Sequence, residues 1–291
     1  MMAILVGVMF LASCQKEVHI NLGSTSSVVV VQGQVQTGQP PYVVLTSTIS
    51  FFSTIDLTSL QNSFVHNAVI TVSDGSQVAT LREYSFDTGV SNKYYVYSVD
   101  TSHGPGIMLG VAGKTYDLTI KVNGATYTAS TRIPYPKGVD SMWFAAPEFK
   151  SIRTPDSAYQ LFANYTDPDT PGNFVRSFTR KNRGQFYPVG LYSDDAVNGI
   201  RISNIAMFAG YQDSTNVQRD TVRYFFPGDT VTLNWCQIDK GVYTFWNTEA
   251  FAQQSIGNPF SSHIYVQTNI KGGAIGVWAG YSSAETTLVV P

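Results

Sequence analysis

The chain has 291 residues, enough for one large or two ordinary domains that build their cores without staples. Charged residues are only 13% and aromatics also 13%, with a net charge of −2. With no basic run longer than Arg180-Lys181 plus Arg183, the chain lacks the phosphate-neutralising surface that nucleic-acid binding requires.

Ala3 to Ala12 is almost wholly apolar. It is shorter than the about 20 residues of a bilayer-spanning helix, but fits the roughly 7–15 of a signal-peptide hydrophobic region. Leu11-Ala12-Ser13-Cys14 then places small residues directly before a cysteine. This resembles a bacterial lipobox, so residues 1–13 are expected to be a lipoprotein signal peptide and Cys14 the lipid attachment site. More than one acyl chain is needed for durable membrane anchoring. Met1 to Ser13 carries no charge, whereas a signal peptide opens with Lys or Arg; the expectation is a start codon further upstream. Gln15-Lys16-Glu17 resembles the short export tag of surface lipoproteins, within a tether over 14–27.

Val28 to Val35 is the first expected strand, and its run of four valines suggests burial on both faces. Tyr42 to Ser50 resumes after Gly38-Gln39-Pro40-Pro41, and Phe51 to Ser63 reads as an irregular crossing. Phe64 to Ser73 runs into Asp74-Gly75, a strong hairpin signal, with Val78 to Tyr84 as the return and Lys93 to Val99 next. Val111 to Ile120 and Thr126 to Ile133 flank a turn at Asn123-Gly124. Gly113-Lys114-Thr115-Tyr116, with Leu118 two residues on, has the spacing of a tyrosine corner. Residues 28–133 are therefore read as an immunoglobulin-like β-sandwich.

Pro134-Tyr135-Pro136-Lys137-Gly138 should end the pairing, because proline cannot continue a ladder. Further strands are expected at Ser141 to Ala145, Tyr159 to Tyr165, Phe174 to Asn182, Gln185 to Val189, Asp220 to Phe226, Thr230 to Gln237 and Ser262 to Asn269. Asp239 is a candidate N-cap for one helix, with Val242, Tyr243, Trp246 and Ala250 at helical spacing and an end near Gly257-Asn258-Pro259. Ala274 to Tyr281 alternates small and large residues as a barrel or sandwich strand does. The fold class is all-β: residues 134–291 form a second β-sandwich or partly closed β-barrel domain with that helix packed against it.

Several motifs in chain order resemble the domain-of-unknown-function 4249 family of Bacteroidota outer-membrane lipoproteins. They begin with Cys14-Gln15-Lys16-Glu17-Val18, Pro41 to Leu45, Asn67 to Gly75, Gly113 to Tyr116 and Tyr127 to Thr131. They continue with Asp167-Pro168 plus Asn173-Phe174, Phe226 to Val231, Asn258-Pro259-Phe260, and Asn269-Ile270 with Gly272 to Val277. The resemblance implies a surface or periplasm-facing lipoprotein, often encoded beside a TonB-dependent transporter of the starch-utilisation type. It brings no catalytic residues and no cofactor.

Asp167, Asp169 and Asn173 put oxygen-bearing side chains in one loop, as a hard-cation site would. No bidentate Glu follows at EF-hand spacing, and Pro168, Pro171 and Gly172 make a tight turn the preferred reading. Asp194-Asp195 before Asn198-Gly199 reads as a turn ahead of a catalytic carboxylate pair. His19, His66, His103 and His263 are scattered without zinc spacing, and no nucleophile elbow or phosphate loop occurs. Cys236, left alone if Cys14 is lipidated, reads as a buried inert thiol. Trp143, Trp235, Trp246 and Trp278 could stack on sugars, although aromatic residues are mostly core.

The expectation is a non-enzymatic outer-membrane lipoprotein, held by its lipid and assisting a TonB-dependent uptake system, with a possible glycan or peptide ligand. A stand-alone surface glycan- or protein-binding module or adhesin is the alternative, and a hydrolase using dispersed carboxylates comes last.

Overall fold

The computed structural model describes residues 27–49, 56–87, 92–100, 107–150, 152, 154–195, 198–210, 223–256 and 264–291. Cys14, the signal segment and most of the tether lie outside the described residues, as do His19, His103 and His263. Among the described residues no helix is long and apolar enough to cross a membrane.

Strands β1 (Val29–Gln36), β2 (Tyr42–Ser47), β3 (Val69–Ser73), β4 (Val78–Asp87), β5 (Lys93–Ser98), β6 (Thr115–Val122) and β7 (Ala125–Arg132) come from the first half. They form one nearly closed, barrel-like sheet of order β14-β1-β2-β5-β4-β3-β6-β7. Its first member, β14 (Ile275–Tyr281), arrives from the far end of the chain and pairs parallel with β1, Gln34 opposite Ala279. β4 is the strand on which the sheet turns: Leu81 pairs with Ile70 of β3, and the next residue, Arg82, with Ser98 of β5. The strands expected over 28–133 are thus present, and an eighth closes their sheet.

Local chemistry explains most of these elements. Asp74-Gly75 turns β3 into β4, with Gly75 at φ 84°, where a side chain would strain the backbone. Asn123-Gly124 does the same between β6 and β7, both residues at positive φ. The tyrosine corner is formed: Tyr116 Oη accepts from the Val111 amide at 2.8 Å and donates to the Leu109 carbonyl at 3.2 Å. Val31, Val35, Val43, Ile70, Leu118, Ile120 and Trp278 fill the interior.

Some expectations need correcting. β1 is not buried on both faces: Val31, Gly33 and Val35 point inward, while Gln32 is exposed and Gln34 and Gln36 are half-buried outside. The crossing before Phe64 contains a short helix, α1 (Leu57–Asn62), closed by reciprocal Asp56–Ser59 capping bonds. β3 begins at Val69, not Phe64.

The second half is a sandwich. One sheet runs β11-β10-β13-β15 and the other β12-β9-β8. Their strands are β8 (Ser141–Ala145), β9 (Gln160–Thr166), β10 (Phe174–Lys181), β11 (Tyr187–Ser193), β12 (Arg201–Met207), β13 (Thr230–Ile238) and β15 (Glu285–Val289). Leu161, Tyr165, Val175, Met207, Leu233 and Trp235 pack between the sheets. β12 and β15 were not expected. Conversely, the described part of the strand expected at Asp220 to Phe226 has only an isolated Tyr159–Phe225 bridge, and residues 264–269 form no strand. Helix α2 (Lys240–Ser255) begins at Asp239, whose carboxylate accepts from the Val242 amide.

A third cluster joins the halves. Val277, Ala279 and Tyr281, on the outer face of β14, pack against Phe174, Cys236, Ile238 and Val242. β14 is therefore buried on both faces, which accounts for its alternation of small and large residues.

Candidate functional site

The 167–173 loop is a turn held from within. Asp194 Oδ2 accepts from the Gly172 amide at 2.7 Å and the Asn173 amide at 2.9 Å. Asn173 Nδ2 donates to the Thr170 and Pro168 carbonyls, and Asp167 Oδ2 accepts from the Gly199 amide at 3.3 Å. Asp169 is exposed. Hydrogen-bond donors thus occupy carboxylate oxygens that a cation would need, and the described residues contain no cluster of three metal-ligating side chains. Burial, with nearby Asp194 adding repulsion, raises the Asp167 pKa. Asp194 and Asp195 diverge, one buried and one exposed, as turn residues do.

The remaining sequence candidates separate by burial. Trp235 and Trp278 are core, and Trp143 stacks beside Phe162 at 6.0 Å between centroids. His66 pairs with Glu83 on the barrel surface. Cys236 is buried and its Sγ donates to Asn234 Oδ1 at 3.2 Å; burial pushes this thiol up to about 12. Trp246 is different, because it faces a pocket.

That pocket, of about 370 Å³, lies between the barrel and the sandwich. Its floor is the outer face of the barrel: Gln32, Gln34 and Gln36 at alternate positions of β1, Tyr42 of β2 and Tyr281 of β14. Its other wall is Arg176 and Phe178 of β10, Phe186 from the following turn, and Trp246 of α2. The two-residue period of a strand is what brings the three glutamines to one face and Arg176 and Phe178 to another.

Arg176 and Trp246 form the centre. The guanidinium carbon lies 3.3 Å from the indole centroid, and Phe178 is 5.3 Å away on the same cation. Tyr281 Oη accepts from Arg176 Nη1 at 3.2 Å and from Trp246 Nε1 at 3.0 Å, which leaves its own O–H to donate. Burial raises the pKa of Tyr281, partly offset by Arg176, and burial pushes Tyr42 up to about 12. Both phenols are therefore neutral near pH 7. The pocket offers one permanent cation, neutral amides and hydroxyls, and apolar rings.

A larger cleft of about 780 Å³ lies at the proline junction, lined by Pro134, Tyr135, Lys137, Pro171, Asp239 and Lys240 among others. Two of its charged side chains, Asp239 and Lys137, are engaged. Asp239 Oδ2 accepts from Thr131 Oγ1 and the Arg132 amide, and Lys137 pairs with Asp140 at 2.8 Å. Through Asp239, Thr131 and Arg132 this cleft marks where the two halves are joined.

Sequence reasoning reached Trp246 but missed Arg176, Tyr281 and the three glutamines. One signal was present. Gln32-Gly33-Gln34-Val35-Gln36 places an amide at every second residue of a strand whose other residues are valine and one glycine.

Against known families, the one described as "Domain of unknown function (DUF4249)" matches residues 15–287. No curated protein matches the chain.

Proposed function

This chain belongs to the DUF4249 family, and from that premise we propose that it is a non-enzymatic, lipid-anchored binding protein of the outer membrane. In this reading Cys14 carries the lipid and Gln15-Lys16-Glu17 directs the protein to the cell surface. There it serves a TonB-dependent uptake system as an accessory or binding component.

The observation that carries the binding half of this reading is the make-up of the pocket around Arg176. A guanidinium is always charged, amides do not titrate, and the phenols and the thiol behind them have raised pKa values. General acid–base catalysis needs a group that exchanges protons near the working pH. Groups such as these instead hold a ligand in place. The anchoring half is supported by Leu11-Ala12-Ser13-Cys14 at the end of an apolar run.

Metabolic labelling with a palmitate analogue tests the anchor: the parent is expected to be labelled and Cys14→Ala not, and equal labelling of both overturns it. Co-purification from detergent-solubilised membranes tests the uptake role. Recovery with a transporter supports it; recovery alone favours a free-standing surface binding module, the reading that the aromatic pocket also suits.

A further inference from the structure

Resting on that binding reading, we propose that the Arg176 pocket takes a small carboxylate-bearing sugar, the guanidinium holding the carboxylate and the glutamine row taking ring hydroxyls.

Arg176 is half-buried and has no carboxylate within ion-pair distance among the described residues. Arg180, four residues further along the same strand and on the same face, does have one: Glu285 lies 3.8 Å away. A guanidinium carries five N–H donors, and among the described residues only one of those on Arg176 is spent, on Tyr281. Stacking on Trp246 occupies its flat face and leaves the in-plane fork, which matches a carboxylate bidentately. The stacking also holds the side chain in one place before any ligand arrives, so little ordering entropy is lost on binding.

The remaining lining argues for a sugar as the bearer of that carboxylate. Gln32, Gln34 and Gln36 recur at strand spacing, roughly 6.6–6.8 Å between alternate residues. Each amide both donates and accepts, and so does each sugar hydroxyl. Phe186 and Tyr42 supply apolar surface for the C–H face of a ring. At about 370 Å³ the pocket is near the lower end of the roughly 300–1,000 Å³ usual for ligand sites, which suits one or two rings.

The test is calorimetric titration of the full chain in detergent with galacturonate, glucuronate and their dimers, alongside galactose, glucose and acetate. The part of the indole fluorescence change that Trp246→Phe removes reports on the pocket. At least one uronate is expected to bind about tenfold or more tightly than its neutral counterpart and than acetate. Arg176→Gln should abolish that preference. Gln34→Glu, which puts a fixed carboxylate in the pocket without touching the Arg176–Trp246 stack, should weaken uronate binding about tenfold with the melting temperature retained.

Equal affinity for uronates and neutral sugars, uronate binding unchanged in Gln34→Glu, or no uronate binding at millimolar concentration would each overturn the proposal. The last result in a protein that still carries lipid and still recovers a transporter overturns the ligand class alone. Uronate binding by a protein without lipid or transporter leaves the ligand class standing and overturns the uptake reading instead.

Discussion

Thr131 of β7 and Asp239 at the start of α2 are joined by a 2.5 Å hydrogen bond that ties the barrel to the sandwich. Thr131 Oγ1 in turn accepts from the Gly280 amide of β14 at 2.9 Å. Asp239 also accepts from the Arg132 amide at 3.0 Å and caps the helix through the Val242 amide at 2.9 Å. One carboxylate thus serves β7 and the α2 N-terminus, and through Thr131 it reaches β14.

Asp239→Ala removes a helix cap and strips acceptors from Thr131 and the Arg132 amide. A loss of about 2–4 kcal/mol of unfolding free energy is expected. Asp239→Asn, which can still cap, should lose less. Denaturant melts of both variants check the order.

Gly33 is a second sensitive point, for steric reasons. A methyl group there would lie 2.7 Å from Trp278 Cε3, and the indole cannot move away because its Nε1 donates to the Tyr116 carbonyl at 2.9 Å. Gly33→Ala is expected to cost about 1–3 kcal/mol by overpacking. Thermal melts read this directly, and an unchanged midpoint would show that the barrel interior yields.

Asp74, in the β3–β4 turn, pairs with Lys114 at 2.7 Å and accepts from Ser76. Lys114, followed by Ser76, holds its carboxyl well below the usual carboxylate range. A depressed folded-state pKa contributes stability above the unfolded value, near 3.9, and that stability is lost as pH falls through the folded value. Asp74→Asn should therefore be less stable than the parent at pH 7 and converge with it in strong acid. Because the lysine is exposed, added salt should shrink the difference.

Asp167 has the opposite sign. Its raised pKa means that the ionised form costs stability above the folded value, a cost removed as protonation proceeds on the acid side. Asp167→Asn, which keeps an acceptor for the Gly199 amide, is expected to melt higher at pH 7, with the gain fading toward low pH. Calcium should leave the parent's midpoint unchanged; a rise with millimolar calcium would revive the cation reading of this loop.

Cys236, with its thiol pushed up to about 12 and its side chain enclosed, should resist maleimide in the folded state. In a Cys14→Ser background, labelling should appear only on adding denaturant.

The sequence was informative wherever a local rule sufficed. Asp74-Gly75 and Asn123-Gly124 turn the chain because only certain residues tolerate positive φ, and both pairs are where the chain reverses. Tyr116 and Asp239 take the corner and cap roles that their neighbours suggest. Short or partly exposed strands such as β12 and β15 were missed, since Arg201–Met207 and Glu285–Val289 have too few apolar residues to signal a period. The valine run before Gln32 masked the alternation that marks one wet face of β1.

By itself the sequence determined the all-β character, the turn positions, the helix start and the apolar segment ending at Cys14, because each depends on residues close together in the chain. Tertiary structure alone decided that β14 closes the N-terminal sheet and that Gln34, Arg176, Trp246 and Tyr281 share a pocket. Those residues come from four separate elements, and their meeting follows from which buried faces pack together, a choice made by the whole chain that no local pattern encodes.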